Sequence, residues 1–218
     1  MRPLLVSVVF AVLSCFAVGQ TGATKFEIAP FVGFETGASA PLPIALDPTT
    51  GIPVTTIDRI GLEKGLSYGA FLDWHKWQPV ALELMWARNR STYTQHDAAV
   101  DQSSKLYNST LDQYQFGALF GVLGADRKLS PFVAGGLGFT HSDNATGSTN
   151  IAFAWNLGGG VKYNLARHFG LRADARLLPT YASKIQGLVC DEFNGCYNGT
   201  QRKYFNRLNL SAGVNFRF

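Results

Sequence analysis

The chain has 218 residues, of which 46% are hydrophobic, 13% aromatic and 16% charged, with 23 glycines and a formal net charge of +4. This length suits a single domain, and no long polar or proline-rich linker divides it. The basic residues are few and scattered, so the composition gives no support to a nucleic-acid partner.

The first 19 residues have the composition of a signal peptide. A short basic segment, residues 1–3 with Arg2, precedes an apolar core over residues 4–18, and small residues precede an expected cleavage site before Gln20. The apolar run is short for a membrane-spanning helix, which needs about 20 apolar residues. Because Cys15 is present in this segment, cleavage at a lipoprotein site is the alternative. We therefore expect an exported protein whose mature domain covers residues 20–218.

Segments in which apolar and polar side chains alternate recur eight times in the mature chain. Successive side chains of a strand point to opposite faces, so each segment predicts a strand with one apolar and one polar side. Glycines blur the faces of the fifth segment, and the last alternates without a break. The segments are Phe26 to Thr36, Ser67 to Trp74, Val80 to Thr92, Gln113 to Leu123, Phe132 to His141, Ala152 to Tyr163, Leu171 to Leu177 and Arg207 to Phe218.

The connections between these segments are alternately long and short. A soluble lipocalin-like barrel also has eight strands with alternating faces, so alternation alone does not decide which face is outside. Short turns at one end and long loops at the other are typical of outer-membrane barrels. The short connections are His75 to Pro79, Ala125 to Ser130 and Ala166 to Gly170, and the long ones are Ala38 to Leu66, His96 to Asp112, Ser142 to Asn150 and Lys184 to Tyr204.

Three features favour an apolar face that is turned outward to lipid. The polar face carries ten charged residues, namely Glu27, Glu35, Asp73, Glu83, Lys162, Arg172, Asp174, Arg176, Arg207 and Arg217. It also collects glycines that leave room in a narrow lumen, namely Gly117, Gly121, Gly158, Gly160 and Gly213. Aromatic residues fall into two bands, as at the two interfaces of a membrane: Trp74, Tyr163, Phe216 and Phe218 in one, and Tyr68, Trp86, Tyr114, Phe153, Trp155 and Tyr181 in the other.

The alternating strands, the unequal connections and the terminal Phe218 make residues 25–218 similar to the OmpA-type or opacity-type family of small outer-membrane barrels. The resemblance implies an all-β fold, an eight-stranded antiparallel up-and-down transmembrane β-barrel in the bacterial outer membrane. It also implies membrane lipid and lipopolysaccharide as surroundings and the barrel-assembly machinery as a partner. Phe218 resembles the signal that this machinery reads.

An eight-stranded barrel is just wide enough for side chains to fill its lumen. An unpaired charge is costly in so confined a space, so we expect the five acids and five bases of the polar face to form a lumenal charge network. The sequence favours a filled lumen with a structural role. A narrow or gated path for ions or small solutes is the alternative.

The sequence does not predict a catalytic, cofactor or metal site. A lipid A-modifying enzyme needs a nucleophile and a base within hydrogen-bond reach, and the related deacylases carry His-x-Ser-Asn. Here His141 and Ser142 are adjacent, so an extended strand points them apart. The other histidines, His75, His96 and His168, fall in expected turns and loops with no shared face. A non-enzymatic barrel is therefore favoured over a lipid A enzyme.

Binding residues on a rigid barrel are expected on its long loops. Cys190 and Cys196 flank a short segment with an Asn-Gly turn, and in an exported protein they are expected to form a disulfide. Aromatic residues such as Phe193 in the same loop suit contact with an extracellular ligand. Arg88 and Arg90 share the parity of the apolar face, where an arginine suits a lipopolysaccharide phosphate.

Overall fold

The computed structural model describes residues 26–41, 50, 57–77, 79–122, 128–144, 149–191 and 195–218, with the backbone alone at 41, 57–58, 77, 144, 182–191 and 195–203. The expected signal peptide, its cleavage site and Cys15 lie outside the described residues, as does most of the first long loop. Within the described ranges, no helix is long and apolar enough to cross a membrane.

The described chain is built from antiparallel strands. The strands are β1 Phe26–Glu35, β2 Ala38–Pro41, β3 Ile57–Leu62, β4 Gly65–Trp77, β5 Val80–Asp97, β6 Gln102–Gly121, β7 Leu129–Asn144, β8 Thr149–Asn164, β9 Phe169–Asp191 and β10 Gly195–Arg217.

Eight of these strands close into a ring. The order β5-β4-β1-β10-β9-β8-β7-β6 returns to its start because β6 also pairs with β5. Strands β1 and β10 make the closing seam, with Val32 opposite Ala212. The seam extends to the last residue, since the Phe218 N–H donates to the Phe26 carbonyl at 2.9 Å. The predicted eight-stranded antiparallel up-and-down barrel is confirmed.

Strands β2 and β3 continue β1 and β4 beyond a short interruption. Ala38 of β2 pairs with Leu62 of β3, just as Glu35 pairs with Gly65 at the ends of β1 and β4. Strand β3 also pairs with β5. The hydrogen bonding is not lost at the interruption, where the Glu63 N–H donates to the Thr92 carbonyl at 2.9 Å. The predicted loop Ala38 to Leu66 therefore contains two further strand segments.

The other three long connections are shorter than predicted, because the strands run on past their expected ends. Strands β5 and β6 stay paired up to Asp97 and Gln102, so most of the predicted loop His96 to Asp112 is strand. Likewise most of Lys184 to Tyr204 belongs to the paired ends of β9 and β10. Only residues 145–148 of Ser142 to Asn150 lie between strands. Alternation of polar with apolar residues fades here, which is why the sequence predicted loops.

Aromatic pairs across the strands support these extensions. The ring centroids of Tyr93 and Tyr107 are 5.0 Å apart on β5 and β6, and those of Tyr181 and Tyr204 are 5.3 Å apart on β9 and β10. We call this end of the barrel the hairpin end. The opposite end, where short turns join β4 to β5, β6 to β7 and β8 to β9, is the turn end.

Side chains alternate between the lumen and an apolar outer wall. On β8, Leu157 is 60% exposed on the wall, whereas the neighbouring Asn156 is buried in the lumen. The wall has the two predicted aromatic bands. Phe26 stacks on Trp74 and Phe169 meets Phe216 at the turn end, whereas Tyr68 meets Trp86 and Tyr114 stacks on Phe139 nearer the hairpin end.

Glycines on the lumenal face make room for larger side chains. A Cβ added at Gly160 would lie 2.1 Å from the Ala173 carbonyl oxygen and 2.8 Å from the ring of Phe132. A Cβ added at Gly121 would meet only the Pro79 carbonyl, at 3.6 Å. The need for glycine is therefore acute at Gly160 and absent at Gly121.

These two glycines give a matched test of lumenal packing. We expect Gly160→Ala to lower the free energy of unfolding by about 1–3 kcal/mol, as overpacking usually does, and Gly121→Ala to leave it nearly unchanged. Urea unfolding of the barrel in detergent micelles, followed by tryptophan fluorescence, measures both. Equal stability of the two variants would contradict this description of the lumen.

Candidate functional site: the lumenal charge cluster

All ten charged side chains named from the sequence are buried, and none exposes more than 9% of its surface. They come from six of the eight strands of the ring, on the face that alternates with the exposed wall. Their exposure is so low because most of their functional groups meet one another inside the barrel.

Arg172 on β9 is the centre of this arrangement. Its Nε donates to Asp174 at 2.7 Å, its Nη1 to Asp73 at 2.8 Å and its Nη2 to Glu83 at 2.6 Å. The last two acids lie on β4 and β5, so the guanidinium bridges the lumen. Three carboxylates thus occupy the three nitrogens of one cation, which is the strong, charge-assisted form of hydrogen bond.

Two further cations extend the arrangement on either side. Arg176 donates to Glu83 at 2.5 and 2.9 Å and to Asp174 at 2.8 Å. Lys162 donates to Asp73 at 2.7 Å and also to Glu27. We call the set the lumenal cluster; its members are Glu27, Asp73, Glu83, Lys162, Arg172, Asp174 and Arg176.

Two phenylalanines pack against the cluster and were missed by the sequence reasoning. The Arg172 guanidinium lies 4.0 Å from the ring centroid of Phe71 and 4.8 Å from that of Phe132, and Arg176 lies 4.5 Å from that of Phe71. A desolvated arginine gains from a ring face in this range. The sequence did hold a signal for these two residues. Each stands at a position of its strand that alternates in step with the polar face.

A second group of charges lies nearer the hairpin end. Arg207 donates to Glu35 at 2.6 Å, and Asn209 donates to the same carboxylate at 3.3 Å and to Ser67 at 2.8 Å. Asn156 is hydrogen-bonded both to Arg176 of the lumenal cluster, at 3.5 Å, and to Gln115. Polar side chains are thus in contact along much of the lumen.

Arg217 and Phe218 lie apart from both groups, at the turn end. Arg217 is in register with Glu27, but its Nη2 donates to the Ala166 carbonyl at 2.7 Å. Phe218 closes the seam through its backbone bonds to Phe26. The structure therefore brings nine of the ten predicted charges into two groups. The tenth, Arg217, points to the turn at Ala166 instead.

On the hairpin end, the backbone register places Cys196 directly opposite Cys190 across β9 and β10. The next pair along these two strands is Asp191 with Gly195. The disulfide between the two cysteines stays a prediction.

Arg88 lies on the outer wall, as its parity predicted, but it already has a partner there. Its Nε and Nη2 donate to the two oxygens of Asp112, each at 2.7 Å. Asp112 was not recognised from the sequence as a partner of Arg88, because it was predicted to lie in a loop. Arg90, two residues further along β5, is exposed on the same wall.

His141 and Ser142 lie on opposite faces of β7. The His141 ring is on the outer wall, 3.7 Å from Asp143, whereas the Ser142 hydroxyl faces the lumen and donates to the Asn150 carbonyl at 3.4 Å. These two side chains therefore cannot act as a base and its nucleophile unless β7 changes its conformation.

The placement of His75 in a turn was wrong. Strand β4 continues to Trp77, so His75 lies on its lumenal face, where its Nε2 is 3.3 Å from Glu27. His168 does lie in a turn, with its Nδ1 3.0 Å from the Arg217 carbonyl oxygen. His96 lies near the end of β5, 3.1 Å from Asp101.

The lumenal cluster predicts a large effect for the loss of one charge. Replacing Arg172 by Met leaves three buried carboxylates short of a partner, so we expect a loss of about 3–5 kcal/mol in the free energy of unfolding. Arg90→Met removes an exposed charge and should change it little. The urea midpoint of each variant, together with the gel mobility of the unheated barrel, measures the difference. A stable Arg172→Met barrel would show that the cluster does not hold the fold.

Comparison with known proteins gives a family and a fold. The family model described as the outer membrane protein beta-barrel domain matches residues 8–218. A search of curated proteins found no match.

Three solved structures illustrate the likeness of fold. The outer membrane protein OprG from Pseudomonas aeruginosa is 13% identical, with a TM-score of 0.60, over 90% of this chain and 96% of that one. The Neisserial surface protein A is 13% identical, with a TM-score of 0.54, over 90% and 99%. The outer membrane protein AlkL, solved in lipid bilayers, is 12% identical, with a TM-score of 0.54, over 93% and 95%. At these identities the likeness shows the fold alone.

Proposed function

Because the chain belongs to the outer membrane protein beta-barrel family, we propose that it is a non-enzymatic barrel of the bacterial outer membrane, with a lumen closed by side chains and a role in envelope structure or surface contact. Its wall is surrounded by membrane lipid and lipopolysaccharide. The barrel-assembly machinery is its partner during biogenesis, and Phe218 contributes to the signal. An extracellular ligand binds at the hairpin end.

The observation that carries the closed lumen is the bridging position of Arg172. It joins β9 to β4 and β5 through the ion pairs to Asp73 and Glu83, and the side chains of all three residues expose 3% or less of their surface. A cavity of about 70 Å³ lies on the turn side of the cluster, and one of about 80 Å³ lies towards the hairpin end. An ion crossing between them has to separate buried ion pairs, which is costly.

Electrical recording in planar bilayers tests the closed lumen. We expect the purified protein to show no stable unitary current, whereas the double variant Arg172→Ala/Glu83→Ala removes the bridge and should conduct. Arg90→Ala, on the outer wall, is the matched control and should stay silent. A stable open pore in the unmodified protein would favour the alternative, a small channel for ions or solutes.

The hairpin end supports the second half of the proposal. Strands β9 and β10 each have 23 residues, so their hairpin extends well beyond the ring. Exposed Tyr204 packs against Tyr181 at its base. A disulfide between Cys190 and Cys196 would lock its far end. An ordered hairpin of this kind presents aromatic and charged residues with little loss of conformational entropy on binding.

Shortening the hairpins tests surface contact. One variant replaces residues 188–198 by Asn-Gly between the paired Gly187 and Gly199, and the matched control replaces residues 95–104 by Asn-Gly between the paired Thr94 and Lys105. We expect bacteria that display the first variant to lose adherence to an epithelial monolayer, and those that display the control to keep it. Unchanged adherence of the first variant would contradict a binding role for this hairpin.

A further inference from the structure

Three side chains with metal-ligating atoms meet at the turn end of the lumen. Asp73 and His75 lie two residues apart on β4 and share the lumenal face, and Glu27 lies directly opposite Asp73 on β1. One carboxylate oxygen from each acid and one ring nitrogen of the histidine all lie within 4.8 Å of one another.

One of these groups has unused binding capacity. Asp73 is 1% exposed; its Oδ2 accepts from Lys162 and Arg172, whereas its Oδ1 has no hydrogen-bond partner in the part of the chain that the structure describes. The Nε2 of His75 is buried and lies 3.3 Å from Glu27, within reach of an ion pair. Buried polar atoms are nearly always paired, so the unpaired carboxylate oxygen of Asp73, in a group of three possible metal ligands, points to a ligand.

A cavity adjoins the site. The cavity of about 70 Å³ at the turn end is lined by Glu27, His75 and Lys162, together with Ser130 and Asn164. Its size is enough for about two water molecules, which would complete the coordination of an ion held by three protein atoms. The cavity thus places free space beside two of the three side chains, Glu27 and His75.

We propose that Glu27, Asp73 and His75 bind one divalent transition-metal ion of the zinc or manganese type. Two carboxylates and one imidazole suit such ions. Each ligand atom has to move inward by about 1 Å on binding, so that its distance to the metal ion reaches the ordinary bond length of about 2.0–2.2 Å. Lys162 competes, because its ammonium already binds both carboxylates. Arg217, another cation at this end, is turned to the Ala166 carbonyl.

Metal titration of the purified barrel tests the proposal. The protein, without a polyhistidine tag and stripped with chelator, is titrated with Zn²⁺ by calorimetry and with Co²⁺ by visible absorption. We expect one ion per chain in the unmodified protein and at least a tenfold weaker affinity in His75→Ala. His168→Ala, altered in a turn at the same end, is the matched control and should bind as the unmodified protein does.

Lys162→Met gives a result that a surface-bound ion would not produce. Removal of the competing ammonium should tighten metal binding if the site is the one described, and leave it unchanged otherwise. Glu27→Gln serves as a second ligand variant, and the gel mobility of the unheated barrel confirms that each variant is folded. Absence of stoichiometric binding, or equal affinity in His75→Ala and the unmodified protein, would overturn the proposal.

Discussion

In a hydrocarbon layer there is no water to satisfy an unpaired backbone N–H or C=O, and each such group costs several kcal/mol. A sheet in that layer must therefore have no free edge. The seam between β1 and β10 meets this demand to its last residue, where Phe218 and Phe26 exchange hydrogen bonds. The number of strands in the closed ring then sets the width of the lumen. In so narrow a lumen, the stability of the barrel depends on the packing at Gly160 and on the charges around Arg172.

The lumen of this barrel is lined by polar and charged side chains that are buried. Charges that are removed from water need partners at short range, and here each cation of the lumenal cluster meets at least two carboxylates. The rings of Phe71 and Phe132 replace part of the lost hydration of Arg172. The same packing leaves Asp73 Oδ1 without a partner, so the cluster is satisfied in its middle and incomplete at the turn end.

Strands were predictable from the sequence wherever one face meets lipid, because lipid enforces strict alternation. The terminal strand and β8 show this, and so does the placement of Arg172, Asp174 and Arg176 on one face. Beyond the membrane both faces meet water, so the extensions of β5 and β6 show no such alternation, and only the Tyr93–Tyr107 pair gives a hint of them. The approach of His75 to Glu27 could not be predicted either, because it depends on β4 continuing three residues further than the alternation suggested.

Asp174 pairs with its near neighbours Arg172 and Arg176 on β9, but the ion pairs that cross the lumen join residues that are far apart along the chain. Arg172 and Asp73 are separated by 99 positions, Lys162 and Glu27 by 135, and Arg207 and Glu35 by 172. No hairpin of neighbouring strands can form any of them. Each has to wait until the curling sheet brings its first strands to its last, and contacts of such sequence separation are slow to form. The ion pairs that cross the lumen are thus absent through most of the folding, and their formation coincides with closure.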